Sequence, residues 1–511
     1  MSDISANNKR IAKNTLLLYF RTILVMVISL YTSRVVLDTL GVEDFGIYNV
    51  VGGVVAMFGI ISGSLSSAIS RFITFELGHG DKEKLKRIFS TSVNIQLGLS
   101  LIIIILGETI GLWFLNSKMN IPPERISAAN WVLHCSLLTF AINLVSIPYN
   151  AVIIAHERMS VFAYVSILEA SLHLFAVYLL YISLWDKLIF YSCLLAIVAL
   201  FIRIVYATYC RHHFKEAKYR LIYDHKLLKE MSVFAGWNFI GAASAILRDQ
   251  GGNILINLFC GPAVNAARGI AIQVNRAVQT FVSNFMTALN PQITKSYAAG
   301  NNTYMMTLIF QGARLSFYML LLLSLPILIN TSYILSLWLK TVPDHAVQFV
   351  QLVLIFAMSE SISHPLITAM LATGKIRNYQ IVVGGLQMMN FPISYILLRI
   401  GCIPETVLFV AIVISQCCLA ARLSMLKRMI GLSPKKYLKE VYLNVILVTL
   451  CSALIPYMWS NKMEPSFLPF VLNTMLSIIC TFSAVYYIGC SRYEREFVLM
   501  KVRAFYKSHI S

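Results

Sequence analysis

Charged residues are scarce in this chain. Asp, Glu, Lys and Arg make up 13% of its 511 residues, whereas hydrophobic residues make up 58%. Soluble domains carry about 25% charged residues, and a soluble core cannot bury so much apolar surface. The composition therefore excludes an ordinary soluble enzyme and a disordered chain, and it favours a polytopic membrane protein whose outside faces lipid.

Cysteine motifs and a cleavable leader are also missing. The ten Cys form no C-x-x-C pair and no Cys/His spacing suited to zinc, so we expect no metal site and no cofactor. Residues 1–14 are polar, and the apolar run after them is too long for the apolar region of a signal peptide. We expect that run to be the first membrane span.

Long continuous apolar runs dominate the rest of the chain. A spanning helix needs about 20 apolar residues, and continuous runs exclude the alternating pattern of a membrane β-barrel. We predict an all-α protein with about fourteen spans, at 15–37, 46–68, 88–114, 128–154, 159–184, 187–210, 231–258, 264–290, 305–338, 345–371, 378–399, 404–426, 437–459 and 467–489.

The distribution of positive charge predicts the orientation. With the N-terminus placed in the cytoplasm, about two thirds of the 42 Lys and Arg fall in cytoplasmic segments, which satisfies the positive-inside rule. Residues 211–230 and the tail from Arg492 are the richest examples, and both termini are then cytoplasmic. This placement accounts for most of the net charge of +19, so we expect no nucleic-acid partner.

An internal repeat relates the first twelve spans. At an offset of 220 residues Gly41 falls on Gly261, and Gly80 falls on Gly300. Spans 1–6 thus match spans 7–12 in the same orientation, a plan that transporters use with the substrate between two lobes. We predict an N-lobe (1–222), a C-lobe (223–430), a central cavity, and a C-terminal part (431–511) with two further spans and a basic tail.

Two sequence stretches carry a family resemblance. They read SRVVLDTLGVEDFGIY at 33–48 and SRF at 70–72. With the 6 + 6 + 2 arrangement, they resemble the polysaccharide branch of the multidrug/oligosaccharidyl-lipid/polysaccharide exporter superfamily. The resemblance implies a flippase for undecaprenyl-pyrophosphate-linked glycans of O-antigen or capsule, located in the bacterial inner (cytoplasmic) membrane. It also implies contact with the polysaccharide polymerase machinery.

Arginines inside the predicted spans are candidate binding residues, because charge at the centre of a spanning helix costs about 2.5–3.5 kcal/mol. On span 8, Arg268, Arg276 and Gln279 share one polar face about 100° wide, which predicts either the wall of a hydrated cavity or a polar seam between helices. On span 7, Arg248 and Asp249 accompany Gly251 and Gly252, a pair that predicts an irregular or kinked helix. Arg21 on span 1 is explained equally by snorkelling or by cavity lining.

Acidic residues inside the spans are candidates for ion coupling. Glu169 with His173, and Glu360 with His364, are each four residues apart, which places both side chains on one helix face. Such a pair can hold a proton near neutral pH or form a simple buried hydrogen bond. Together with Asp249, these residues are our candidates for coupling to a proton or sodium gradient.

Three function classes remain, of which a flippase fits the residues best. Eight cations lie more than two residues inside the predicted spans, and all eight are Arg, whose planar guanidinium matches pyrophosphate oxygens. A drug/cation antiporter of the same superfamily is the alternative, but it should present acids and aromatics to its substrate. A membrane glycosyltransferase would need an acidic catalytic motif in a large external loop, and we find none, so we do not expect an enzyme.

Overall fold

The computed structural model describes residues 2–56, 58–119, 121–339, 342–462, 466–491 and 494–496. Of the predicted cytoplasmic tail, only Glu494–Glu496 lie within the described residues. The described residues are nearly all helical. The α-helices are α1 Ser2–Ala56, α2 Gly59–His79, α3 Lys82–Leu106, α4 Leu112–Lys118, α5 Ile126–Ala155, α6 Met159–Ile182, α7 Lys187–His213, α8 His225–Ala298, α9 Asn302–Ile329, α10 Thr331–Trp338, α11 Ala346–Ser361, α12 His364–Thr373, α13 Arg377–Met388, α14 Asn390–Arg399, α15 Thr406–Ile430, α16 Pro434–Tyr437, α17 Asn444–Ser460 and α18 Phe467–Ala484.

The membrane character of the chain is confirmed. In the described ranges, ten helices are long and apolar enough to cross a membrane, and the bent pair α11 and α12, at 41°, would be an eleventh. These eleven coincide with predicted spans. The three other predicted spans, 46–68, 231–258 and 264–290, fall in the last part of α1 with α2 and in α8. They are not among the eleven, so the count of fourteen stays a prediction.

Glycines shape the backbone at the repeat positions. Gly41 interrupts α1 at φ 81° and ψ 170°, and Gly261 interrupts α8 at φ 85° and ψ 174°. Gly80, directly after α2, and Gly300, shortly after α8, both have a positive φ. Only glycine adopts these conformations at little cost. Two turns, each used twice at the same spacing, support the internal repeat in the backbone itself.

The chain forms two compact units. Unit 1 comprises Met1–Ala242 and Thr294–Asn301, and unit 2 comprises Ala243–Ile293 and Asn302–Ser511. The core of unit 1 includes a cluster around Phe89, Tyr149 and Ile202, which belong to α3, α5 and α7. In unit 2, α9 packs against α11, α12, α17 and α18, so the two C-terminal helices beyond the repeat dock on α9. The predicted lobe boundaries stay predictions.

Candidate functional site

Arg248 lies in α8 within unit 2 and belongs to a buried charged cluster. Its Nε donates to Asp249 Oδ1 at 2.8 Å, and its guanidinium lies 4.9 Å from the centre of the Phe356 ring. The two neighbouring residues leave the helix about 100° apart, yet their flexible side chains meet. Arg248 also interacts electrostatically with Glu360. Its side chain is 12% exposed, so the fold already provides partners for this cation.

Glu360 is the centre of the same cluster. Ser415 Oγ donates to Glu360 Oε1 at 2.6 Å, and both Arg248 and Arg422 act on the carboxylate electrostatically. Arg422 is 1% exposed, and its Nε and Nη1 have no hydrogen-bond partner among the described residues. Two guanidinium groups thus surround one carboxylate. A cation or a proton that binds this carboxylate would have to compete with both arginines.

The helix is not continuous between Glu360 and His364. Glu360 is the last residue but one of α11, and His364 begins α12 beyond a 41° bend. The expectation of one shared face on one straight helix is therefore wrong here. His364 still contributes to the electrostatic surroundings of the carboxylate. Where the structure describes the chain, no group of three or more His, Cys, Asp or Glu could hold a metal ion.

Arg268 is packed inside unit 2 against a glycine. It is 5% exposed, and its Nη2 donates to the carbonyl of Asp249 at 3.1 Å. A Cβ at Gly252 would lie 2.6 Å from Arg268 Nη1, and a Cβ at Gly251 would lie 2.7 Å from the Phe391 ring. The two glycines thus allow close packing. The predicted kink at this pair is wrong, because α8 departs from helical geometry at Gly261 instead.

Arg276 differs from the other arginines of unit 2. Its side chain is exposed, and no ion pair to it forms among the described residues. Gln279, Thr280 and Ser283 follow on the same polar face and are half-buried or exposed, whereas Val282 on another face is buried. The predicted polar face is therefore accessible at Arg276 and Ser283 and buried at Arg268. An accessible guanidinium without an acidic partner can bind an anion.

A similar pairing of arginine and acid occurs in unit 1. The Arg21 guanidinium lies 4.6 Å from the centre of the Phe162 ring and interacts electrostatically with Glu169 and Tyr206. Glu169 and His173 lie on the uninterrupted helix α6, as their spacing predicts. The Glu169 carboxylate on α6 thus has a basic neighbour in Arg21 on α1, although more than a hundred residues of sequence separate the two.

Glu157 forms a charged node that the sequence did not indicate. Its side chain is 1% exposed and bonds Arg10 Nε and Lys295 Nζ, both at 2.7 Å, while Asn14 donates to its carbonyl at 3.2 Å. Burial lowers the pKa of Lys295, although the carboxylate opposes that shift. Glu157 has a φ of 59°, and at an offset of 217 it corresponds to Gly374 at 75°. That glycine is the sequence signal for a special turn here.

Each unit also has an ion pair that joins two helix starts. In unit 1 Arg125 bonds Asp186 at 2.5 Å and also pairs with Asp44. In unit 2, at nearly the repeat spacing, His345 bonds Glu405 at 2.6 Å. Burial raises the pKa of Asp186, but backbone amides at the start of α7 and Arg125 outweigh it, so the pKa lies below its ordinary value.

Comparisons with known proteins agree on family and fold. Residues 11–297, more than half of the chain, match the family model described as polysaccharide biosynthesis protein. The uncharacterized membrane protein EpsK of Bacillus subtilis is 22% identical over 306 residues, which are 58% of this chain and 59% of that relative. The match thus spans less than two thirds of the relative's length.

Solved transporters share the fold. An outward-facing multidrug resistance MATE family transporter of the MOP superfamily aligns with a TM-score of 0.71 and 14% identity, over 83% of this chain and 96% of that one. A MOP superfamily transporter from Pyrococcus furiosus aligns over the same shares, with a TM-score of 0.69 and 14% identity. The binding pocket of that transporter is described as having reverse polarity. At this identity the likeness shows the fold alone.

Proposed function

Since this chain belongs to the polysaccharide biosynthesis protein family, we propose that it flips polyprenyl-pyrophosphate-linked oligosaccharide repeat units across the bacterial cytoplasmic membrane. It does so by alternating access, with fourteen spans and both termini in the cytoplasm, for surface polysaccharide assembly. The cargo is an undecaprenyl-pyrophosphate-linked glycan of O-antigen or capsule type, which is handed to the polymerase machinery outside. Membrane transport in polysaccharide biosynthesis is the premise, and the lipid-linked cargo is the proposal.

The exposed guanidinium of Arg276 is the observation that supports this proposal best. Pyrophosphate is a compact anion, and arginine binds such oxygens through charge-assisted hydrogen bonds. Arg276 lies on the accessible polar face of α8 without an acidic partner among the described residues. Arg248 and Arg268 are satisfied partly by their own unit, so they contribute positive potential rather than open donors.

Substitution of Arg276 tests the proposal. Arg276→Lys keeps the charge and should retain part of the export, whereas Arg276→Ala and Arg276→Gln should lose most of it at unchanged expression. The measurement is surface glycan in a flippase-deficient strain that carries each variant. Arg399→Ala, at the exposed end of α14, is the matched control and should export normally. Full export by a well-expressed Arg276→Ala protein would contradict the proposal.

The antiporter alternative has its own support, because the fold is equally that of multidrug transporters. A cation carrier needs an acid that is free to bind its substrate. Glu108 is 2.8 Å from His134, while Glu169 and Glu360 each face arginine. Those acids therefore already have basic neighbours. Drug resistance conferred on a pump-deficient strain, without any change in surface glycan, would favour the antiporter.

A further inference from the structure

A second candidate site lies in unit 2, where α9, α10, α17 and α18 meet. The charge pattern predicts that these ends of the helices lie on the external side of the membrane. A cavity of about 150 Å³ opens there, and its lining includes Asn330, Tyr333, Trp459, Phe470 and Asn473. None of the proposed flippase residues contributes to it, so it is independent of the arginine face on α8.

Aromatic rings form one part of the lining. Tyr333 and Phe470 lie with ring centres 5.3 Å apart at an angle of 43°, and Trp459 is 38% exposed at the rim. Rings of this kind offer flat apolar faces, and the tyrosine and tryptophan rings also carry a polar atom each. Such surfaces suit a ligand with an apolar face and hydroxyl groups around its edge.

Side-chain amides form the other part. Asn473 is 2% exposed and donates from Nδ2 to Asn330 Oδ1 at 3.2 Å. Its own Oδ1 has no hydrogen-bond partner among the described residues. An unsatisfied buried amide oxygen is unfavourable, so a ligand hydroxyl that donates to this atom after a small rotation of the side chain would recover free energy.

Charge is absent from the described lining, which also contains Ser332, Ser460 and Ser466. A phosphate or an organic cation would therefore enter without a counter-charge, whereas a neutral polyhydroxylated ring would find aromatic faces and amide and hydroxyl partners. The volume is below the range of about 300–1,000 Å³ for drug-sized ligands, so the cavity suits one ring and not a whole oligosaccharide.

We propose that this cavity binds one neutral hexopyranose ring at the external end of unit 2. The juxtaposition of the Tyr333 and Phe470 rings with the unsatisfied amide of Asn473 defines the site. Its role in receiving the sugar of the exported cargo rests on the proposed function, whereas the binding of a sugar ring does not.

Contacts away from the cavity join the helices that form it. Tyr318 of α9 donates to Asn444 of α17 at 2.5 Å, and Arg314 bonds Glu494 at 3.0 Å. A Cβ at Gly489 would lie 2.9 Å from the Tyr318 ring, so the chain after α18 approaches α9 closely. The two helices beyond the repeat are thus anchored to α9, and the end of α17 and the start of α18 form part of the cavity wall.

The other face of α10 supplies a matched control. Trp338, with Thr331 and Leu335, lines a separate cavity of about 420 Å³ whose walls are mainly apolar. Trp338 is 52% exposed and Trp459 is 38% exposed, so each can be truncated without opening a core. The two tryptophans differ in which cavity they border.

The test is saturation-transfer NMR on the full chain in lipid nanodiscs, without sugar-based detergents. The probes are the methyl glycosides of glucose, galactose and N-acetylglucosamine, with inorganic phosphate as the anionic comparison, followed by phosphorus NMR. We expect binding of at least one glycoside. Trp459→Ala and Asn473→Leu should weaken it at least about tenfold, a change of roughly 1.4 kcal/mol, and Trp338→Ala should leave it unchanged.

Each outcome decides the proposal. Absence of any glycoside binding by the wild-type protein would overturn it, as would binding that tolerates Trp459→Ala or a preference for phosphate. If Asn473→Leu fails to fold, Trp459→Ala decides alone. Glycan export that continues without sugar binding would overturn the sugar site and leave the flippase standing. Sugar binding by a protein that supports no glycan export would overturn the flippase proposal and leave the sugar site standing.

Discussion

The buried carboxylate of Glu157 should be essential for the stability of unit 1. It is 1% exposed and compensates two cations, of which Lys295 is 24% exposed and Arg10 is 50% exposed. Glu157→Gln keeps the shape of the side chain but removes its charge. Lys295 then remains largely buried without a counter-charge, and this is the main source of the expected effect.

The magnitude follows from the exposure of each partner. Breaking a buried ion pair by removing one partner costs about 3–5 kcal/mol, and the half-exposed Arg10 adds less than about 1 kcal/mol. Because Lys295 retains some contact with solvent, we take the lower end, about 3 kcal/mol. For a unit of this size, that loss corresponds to a Tm lower by about 6–12 °C.

A thiol-reactive dye measures this transition, because unit 1 contains the buried cysteines Cys135 and Cys210, which become reactive on unfolding. Glu83→Gln is the control, since Glu83 pairs with Lys86 but is 75% exposed, and its loss should leave the unfolding temperature nearly unchanged. If Glu157→Gln unfolds at the wild-type temperature, or no lower than Glu83→Gln, the reasoning is refuted.

The backbone at Glu157 allows a second comparison at the same position. Both Glu157→Ala and Glu157→Gly remove the carboxylate, but only glycine adopts a φ of 59° without steric cost. Glu157→Gly should therefore be more stable than Glu157→Ala by about 1 kcal/mol. Equal stability of the two variants would show that the turn is not strained.

Three further predictions concern orientation, coupling and the repeat. Lys218→Cys in a cysteine-free background should react with an impermeant maleimide only after cells are permeabilised, and labelling of intact cells would reverse the orientation. Glu360→Gln should lower the unfolding temperature, because Arg248 and Arg422 lose a counter-charge, and its folded fraction should lose gradient-dependent flipping in proteoliposomes. Normal gradient dependence would remove Glu360 and His364 from the coupling candidates. Gly261→Ala should cost about 1–3 kcal/mol at φ 85°, whereas Gly269→Ala, with open space around its Cβ, should not destabilise the protein.

The sequence predicted those parts of the fold that depend on local patterns. Runs of apolar residues located eleven helical segments that could span a membrane, because length and hydropathy are properties of one segment. Gly41 and Gly261 marked equivalent interruptions, since a positive φ selects glycine wherever it occurs. The polar face of α8 was predicted by helical periodicity alone, but periodicity does not determine which of its residues are exposed, since Arg276 is exposed and Arg268 is buried.

Contacts between distant segments could not be predicted in the same way. Helix packing brings Arg21 into electrostatic interaction with Glu169, and Arg248 into electrostatic interaction with Glu360. One sequence does not specify this packing. Hydropathy gives no preference for a neighbour, because lipid is as apolar as the next helix. Glu157 was missed for a different reason: a charged residue in a short loop between two predicted spans resembles a solvated side chain until its burial is known.

The repeat itself indicates where the specific chemistry of this protein lies. At the offset of 220, Arg268 and Arg276 correspond to Tyr48 and Ala56 in the first half, so the shared helix geometry does not require arginine at either position. A charge inside a spanning helix costs about 2.5–3.5 kcal/mol, which must be offset by a protein partner, water or a ligand. Arg268 has such a partner in the carbonyl of Asp249. Arg276 has no acidic partner among the described residues, and it remains exposed. Arg276→Ala restores the residue that the first half already accommodates, so the helix should tolerate it. A loss of export in that variant would therefore report on the bound anion and not on the fold.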